Sequence, residues 1–126
     1  MHKSMLAGFI IDCETDNLDQ ATAFWAQALG LKSRKADDPA ESDYIELLDH
    51  QHGLHIEVQR VAHPSRVHID IQSDDIDAEA ARLEKLGARR IAKVRRWWVM
   101  EAPTGQRFCI VRVSSPDFEK KAMVWK

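Results

Sequence analysis

The stretch VHIDIQSDDIDAEAA at residues 67–81 has a counterpart in FIIDCETDNLDQATA at residues 9–23, and this duplication decides the predicted fold. A shift of 58 residues superposes the two stretches, with Asp12 on Asp70 among the identities. Near the end of each half, HIEVQRV (55–61) corresponds to RFCIVRV (107–113) at a shift of 52. Self-similarity of this kind indicates one supersecondary unit used twice.

Each copy has the pattern of a strand followed by a helix. In the first, Asn17 or Asp16 is expected to cap the helix and Gly30 to end it, and Asp74 or Asp75 and Gly87 do the same in the second. Apolar residues recur at helical spacing and predict one buried face on each helix. These residues are Leu18, Ala21, Phe24, Trp25, Ala28 and Leu29 in the first copy, and Ile76, Ala80, Leu83 and Leu86 in the second.

The rest of each half alternates in the manner of strands, so the predicted unit is β-α-β-β-β. The predicted fold class is α+β, with two tandem βαβββ modules forming a curved sheet whose concave face is a cup. One domain is expected over residues 1–126, with module one at about 5–61, module two at about 66–113 and a helical tail at 115–126. Phe118, Ala122 and Trp125 form the apolar stripe that should fold the tail back onto the body or a second subunit.

Composition excludes several classes of function. The formal net charge is −2 and no block of like charge is long, so nucleic-acid binding is not expected. No apolar run is long enough to cross a bilayer or to serve as a signal peptide, so neither membrane insertion nor export is expected. The two cysteines do not form a disulfide framework, and the cytoplasm is the expected compartment.

Three stretches carry a family resemblance: DNLDQATAFWAQALGL (16–31), VHIDIQSDDIDAEAARLEKLGA (67–88) and APTGQRFCIVR (102–112). Together they resemble the vicinal oxygen chelate superfamily, the glyoxalase/bleomycin-resistance/dioxygenase group, and within it the small glyoxalase-like branch. The resemblance runs from about Leu6 to Val113. It implies the paired βαβββ fold, usually a homodimer, and a cup that typically holds one divalent metal.

The resemblance also implies where metal ligands would lie, namely at Ile10, Glu57, His68 and Cys109. Ile10 has no donor atom, and Cys109 stands where the family commonly has a glutamate. A set of His68, Glu57 and Cys109 would suit Zn²⁺ or Ni²⁺ better than Mg²⁺. A buried core cysteine is the favoured interpretation of Cys109, because free cysteines behave as small hydrophobic residues. The sequence therefore favours a metal-free site over one that holds a single ion.

Other residues are candidates for the same cup. Glu57 shares its strand face with His55 and Gln59 and could form an acid–base couple with His68 without any metal. The predicted ligand-binding residues are Trp97, Trp98, Tyr44, Arg107 and Gln59. The adjacent tryptophans face opposite ways, so one could lie in the core and the other stack on a flat ligand. Arg107 could hold a carboxylate or phosphate, or be a solvated charge.

A second histidine group, His50, His52 and His55, spans the predicted turn HQHG, and solvated loop residues are its favoured interpretation. Three functions remain open. The chain could be a lyase or isomerase that abstracts a proton next to a carbonyl, with His68 and Glu57 as ligands or as acid and base. It could be a bleomycin-resistance-like protein that sequesters a small polar or flat molecule without turnover. It could also be a dimeric interaction module whose cup is filled by side chains.

Overall fold

The computed structural model describes residues 1–126, which form nine strands, two long helices, one short α-helical turn and a short 3₁₀ helix at Pro39–Glu41. The strands are β1 His2–Glu14, β2 Lys32–Lys35, β3 Tyr44–Leu48, β4 His55–Val61, β5 Arg66–Ser73, β6 Arg89–Val94, β7 Trp97–Glu101, β8 Arg107–Arg112 and β9 Met123–Trp125. The helices are α1 Leu18–Leu29, α2 Ile76–Lys85 and the turn α3 Phe118–Lys121. Two compact units result: module one is Gly8–Val67, and module two is His68–Lys126 together with Met1–Ala7.

Module one is a β-α-β-β-β unit with strand order β2-β3-β4-β1. Its first and last strands are parallel neighbours, with Ile10 opposite Glu57, and β3 runs antiparallel to β4. The helix α1 covers one face of this sheet, where Ile11 and Val58 belong to a buried cluster with Leu18 of the helix. Alternation along β1 and β4 places Ile10 and Glu57 on the helix-free face.

Module two repeats this arrangement with strand order β6-β7-β8-β5. Strands β5 and β8 are parallel, β7 is antiparallel to β8, and Ala80 of α2 packs on Met100 and Ile110. The predicted α+β fold with two βαβββ modules is therefore confirmed. The short strands β2 and β6 complete each sheet at its outer edge.

The predicted helix ends are confirmed, while both predicted helix faces are only partly right, since Leu86 of the second predicted stripe is 66% exposed. Asn17 caps α1 by accepting a hydrogen bond from the Gln20 amide, Asp75 caps α2, and Gly30 ends α1 with a φ of 69°. In α1, Phe24 is 62% exposed and Leu29 is 44% exposed, contrary to the expected stripe. The buried line instead includes Leu18 and Thr22, and Thr22 can be buried because its hydroxyl donates to the Leu18 carbonyl.

The C-terminal segment differs from the predicted helical tail. The helix α3 is one turn long, and β9 then pairs antiparallel with the start of β1, with Lys3 opposite Val124. The segment does fold back as expected, with Phe118 2% exposed and the Trp125 indole donating to Ser4. Residues 5–7, which the sequence interpretation assigned to module one, cluster with module two. None of the helices combines the length and apolar character that a bilayer-spanning helix needs.

Candidate functional site

The helix-free face of module two carries most of the predicted site residues of that module. Met100 and Ile110 pack beneath α2, so alternation directs their neighbours Val99 and Cys109 to the opposite face. On β5, Asp70 lies directly opposite Cys109, and His68 precedes it by two residues and shares its face. Two neighbouring parallel strands thus present an imidazole, a carboxylate and a thiol together.

These three side chains form a compact and largely buried group, which we call the His68–Asp70–Cys109 cluster. One donor atom from each residue lies within 4.8 Å of the other two. The side chains of His68 and Asp70 are 12% and 9% exposed, and Cys109 is buried as well. His68 Nε2 lies 3.5 Å from Asp70 Oδ1, and this buried oxygen accepts no hydrogen bond. Most buried polar atoms in proteins do have such a partner, so this oxygen requires an explanation.

Asp70 is the member of the cluster that sequence reasoning missed. In module one, Ile10 pairs with Glu57. The repeat shifts of 58 and 52 carry these two positions to His68 and Cys109, so the repeat predicts that His68 lies opposite Cys109. The observed register instead places Asp70 opposite Cys109, which is a slip of two residues that preserves the face. The sequence signal that could have found Asp70 is strand alternation, because residues two apart on β5 share a face and Asp70 follows His68 by two.

Arginine side chains lie on the same face, beyond the cluster. Glu101 is the cross-strand neighbour of both Arg107 and Arg89 and forms ion pairs of 3.2 Å and 2.9 Å with them. The hydrogen bond and charge of Arg89, followed by the charge of Arg107, lower the pKa of Glu101 despite a smaller opposing effect of desolvation. The single negative charge of Glu101 thus balances only one of the two guanidinium charges of Arg89 and Arg107, and the remaining positive charge can bind an anionic ligand.

The two tryptophans do face opposite sides of β7, and this separates their roles. Trp98 packs against the apolar core beneath α2, which includes Met100 and Ile110. Its indole donates a hydrogen bond of 2.8 Å to Asp77 of that helix, and its ring lies beneath the Arg90 guanidinium. The expectation that Trp98 lines the ligand face is therefore wrong, because α2 covers that side of the sheet. Trp97 lies on the same face as Val99 and stays a candidate for stacking on a ligand.

In module one, the predicted residues form two polar pairs on the helix-free face. His55 Nε2 lies 2.8 Å from Glu57 Oε1, and His55 Nδ1 lies 3.6 Å from Glu46. The Gln59 amide donates to the Tyr44 hydroxyl at 2.9 Å. Glu57 is thus bound to a histidine of its own strand, and the His68–Asp70–Cys109 cluster does not include it.

The loop histidines do not form a metal-binding group. His50 is exposed, and the ring and amide of His52 both bind Asp49 in the turn before β4. The Asp49 carboxylate is buried, which alone would raise its pKa, but hydrogen bonds from the His52 and Leu54 amides outweigh this effect and lower it. The interpretation of His50 and His52 as loop residues is consistent with these positions.

The ligand positions implied by the family resemblance fit a metal ion only in part. Ile10 is buried and apolar, and Glu57 is engaged by His55. His68 and Cys109 are brought together, and Asp70 supplies the third donor in place of Glu57. A set with imidazole, thiolate and carboxylate donors differs from the oxygen-rich sets that Mg²⁺ and Mn²⁺ prefer.

Two βαβββ units in one chain, each with parallel first and last strands, define the class of glyoxalase-type folds. The chain belongs to the glyoxalase-like domain family, which its sequence matches over residues 8–111. This family is part of the vicinal oxygen chelate superfamily that the sequence resembles, and the resemblance is confirmed.

Solved structures of the same fold share little sequence with the chain. Methylmalonyl-CoA epimerase from Mycobacterium tuberculosis has a TM-score of 0.64 and 16% identity, covering 86% of this chain and 87% of its own. A hypothetical protein from Bacillus halodurans has a TM-score of 0.64 and 13% identity, covering 89% and 96%. Streptomyces coelicolor methylmalonyl-CoA epimerase, in complex with 2-nitronate-propionyl-CoA, has a TM-score of 0.60 and 18% identity, covering 87% and 97%. A comparison with curated protein sequences gave no match.

Proposed function

We propose that the chain is an isomerase or lyase that abstracts a proton next to a carbonyl group of a small anionic metabolite. The observation that carries this proposal is the His68–Asp70–Cys109 cluster, a buried set of titratable groups on a helix-free sheet face. Buried titratable groups that are held on rigid strands are typical of catalytic sites. Arg107 lies on the same face and two residues from Cys109, where it can bind a carboxylate or phosphate.

The chemistry follows from where charge develops. Removal of a proton beside a carbonyl leaves negative charge on the carbonyl oxygen, and a cation or a protonated group must stabilise that oxygen. In the proposal, the His68–Asp70–Cys109 cluster provides this stabilisation. Within module one, Glu57 next to His55 stays a predicted proton-transferring carboxylate, and Tyr44 and Gln59 stay predicted ligand contacts. Within module two, Trp97 is the predicted ligand contact. The fold shared with two methylmalonyl-CoA epimerases supports isomerase chemistry, because epimerisation at an acidic carbon proceeds by proton removal and return.

The second candidate function is sequestration of a small molecule without turnover, as in bleomycin-resistance-like proteins. Ile10 favours it, because this buried apolar residue occupies a position where catalytic relatives are expected to have a ligand. A homodimer is expected from the family resemblance in either case, and the exposed Phe24 and Leu29 of α1 offer apolar surface for association. The cytoplasm stays the expected compartment.

The test is exchange of a carbon-bound proton with solvent. Purified protein is incubated in D₂O with a panel of small 2-oxo and thioester carboxylates, and NMR follows loss of the signal of the proton beside the carbonyl. We expect exchange of at least one compound, with His68→Ala and Glu57→Gln lowering kcat and Arg107→Gln mainly raising KM. Arg112→Gln, an exposed arginine of the same strand, is the matched control. Binding without exchange would support sequestration, and the absence of both would refute a small-molecule site.

A further inference from the structure

Asp70 is a buried carboxylate whose electrostatic compensation is incomplete. Its side chain is 9% exposed, its Oδ1 accepts no hydrogen bond, and its ion-pair neighbour is His68 Nε2 at 3.5 Å. That separation is longer than the roughly 2.7–3.2 Å of an N–H···O hydrogen bond. Burial of a carboxylate is costly unless a cation or hydrogen-bond donors compensate it. A positively charged group is therefore expected at this place.

Module one contains the matching position and shows the difference. Asp12 lies opposite Gln59 in the parallel pair β1 and β4, just as Asp70 lies opposite Cys109 in the pair β5 and β8. Asp12 is even more deeply buried, and its Oδ1, like that of Asp70, is a buried oxygen without a hydrogen bond. The difference lies in the neighbouring cation, because the Arg66 guanidinium lies 3.7 Å from Asp12 Oδ2. In module two a thiol and an imidazole stand near the carboxylate, and neither carries the permanent charge of an arginine. Both can donate to a metal ion.

We propose that His68, Asp70 and Cys109 bind one zinc-type divalent cation, entirely within module two. The ligand set departs from the one that the family resemblance implies, since it uses Asp70 and needs neither Glu57 nor a donor at position 10. The bound cation would also be the electrophile in the proposed proton abstraction, and in that respect alone the inference rests on the proposed function. Ion binding itself requires only the three donors and does not depend on turnover.

The geometry suits a tetrahedral ion. Zinc bonds of about 2.0–2.3 Å place neighbouring ligand atoms roughly 3.3–3.8 Å apart in a tetrahedron. The 3.5 Å between His68 Nε2 and Asp70 Oδ1 is already in that range, and all three donor atoms lie within 4.8 Å of one another. Three protein ligands leave the fourth position for water or a substrate oxygen, as in catalytic zinc sites.

The donor types select the metal. A thiolate and an imidazole favour Zn²⁺ and Co²⁺, whereas Mg²⁺ and Mn²⁺ prefer oxygen donors. Coordination also removes the proton from the Cys109 thiol, so binding should release protons and weaken as the pH falls. The bound ion would neutralise the Asp70 carboxylate and give its free oxygen a partner.

The experiment uses the full chain after dialysis against a chelator. One equivalent of Co²⁺ is added and its absorption spectrum recorded, because a thiolate ligand gives an intense charge-transfer band that oxygen and nitrogen ligands lack. Zn²⁺ is then titrated by calorimetry and its stoichiometry measured by mass spectrometry. We expect one ion per chain, a thiolate band, and no binding of Mg²⁺. His68→Gln, Asp70→Asn and Cys109→Ser should each weaken Zn²⁺ binding by about 100-fold or more.

Matched controls come from the other module and from the loop. Cys13→Ser removes the other buried cysteine, and Asp12→Asn removes the matching carboxylate, so both should bind Zn²⁺ as the parent chain does. His52→Ala tests the loop histidines and should also have no effect. Circular dichroism checks that each variant is folded, and the Co²⁺ spectrum is read on the parent chain and so does not depend on any variant.

Three results would overturn the proposal. The first is a parent chain that binds no stoichiometric Zn²⁺ or Co²⁺. The second is a Co²⁺ complex without a thiolate band. The third is Zn²⁺ affinity that survives in folded Asp70→Asn and Cys109→Ser. Zinc binding without proton exchange of any compound would support this site while contradicting the proposed enzyme activity, so the two proposals fail separately.

Discussion

Glu79 is the buried carboxylate on which the sharpest stability prediction rests. It is fully buried on α2 and receives hydrogen bonds from Ser4 at 2.7 Å and from two nitrogens of Arg82 at 2.8 Å, with His2 Nε2 2.7 Å away. Burial alone would raise the pKa of Glu79. The hydrogen bonds from Arg82, Ser4 and His2 together outweigh that effect and lower the pKa to about 2 from 4.5. The network joins α2 to the start of β1.

The magnitude follows from the pKa difference between the folded and unfolded chains. A pKa of about 2 against 4.5 corresponds to about 3 kcal/mol of stabilisation by the ionised carboxylate. Because the folded pKa is the lower one, this contribution is complete above pH 4.5 and disappears as the pH falls towards 2. Glu79→Gln should therefore lower the free energy of unfolding by about 3 kcal/mol at pH 7, since it also leaves Arg82 without its carboxylate.

Urea denaturation of the parent chain and of Glu79→Gln, from pH 7 to pH 3, measures this effect. The difference between the two should fall by about half at pH 3, because Glu79 is then protonated in the unfolded chain while it is still ionised in the folded chain. Glu84→Gln is the matched control on the same helix, since Glu84 forms an exposed ion pair with Arg90 and should contribute less than about 0.5 kcal/mol. A loss below about 1 kcal/mol at pH 7, or one that does not change with pH, would refute the assigned network.

Further predictions concern two glycines and one tryptophan. Gly8→Ala should destabilise the chain by about 3 kcal/mol in urea denaturation, because its β-carbon would lie 1.9 Å from the His55 carbonyl oxygen. Gly30→Ala should cost only about 1 kcal/mol, because its φ is 69° but the space around it is empty, and equal losses at the two glycines would contradict the close approach at Gly8. Trp98→Phe should raise the pKa of Asp77, which the Trp98 hydrogen bond lowers more than any other contact, and an unchanged NMR titration of Asp77 would exclude that bond in solution.

The predicted elements that proved right depend on local chemistry. Capping rules alone placed the end of α1 at Gly30 and narrowed each N-cap to two adjacent residues, of which Asn17 and Asp75 are the caps observed. The alternation of β5 alone is sufficient to put His68 and Asp70 on one face, whatever the register with β8. The location of the strand β2 has no signal in the sequence, because KSRK is wholly exposed and has no apolar alternation, and its pairing with β3 reveals it.

The differences arose where a distant partner decides the conformation. The segment after Phe118 has the local pattern of a helix, but pairing with β1 turns residues 123–125 into a strand. Phe24 fits the helical stripe of α1 and is nevertheless exposed, because Thr22 takes the buried line once its hydroxyl bonds within the helix. Trp98 was a ligand candidate by sequence, and the position of α2 placed it in the core.

The sequence by itself determined the duplication, and with it the βαβββ modules, because strand alternation, helical spacing and caps are properties of neighbouring residues. The family resemblance, rather than any local pattern, implied that His68 and Cys109 occupy two of the family's ligand positions. Only the tertiary structure decided that Asp70, rather than Glu57, joins them, because the register between β5 and β8 depends on packing beneath α2 and not on any residue pattern within either strand. A slip of two residues is invisible to alternation and yet changes which donor atoms meet.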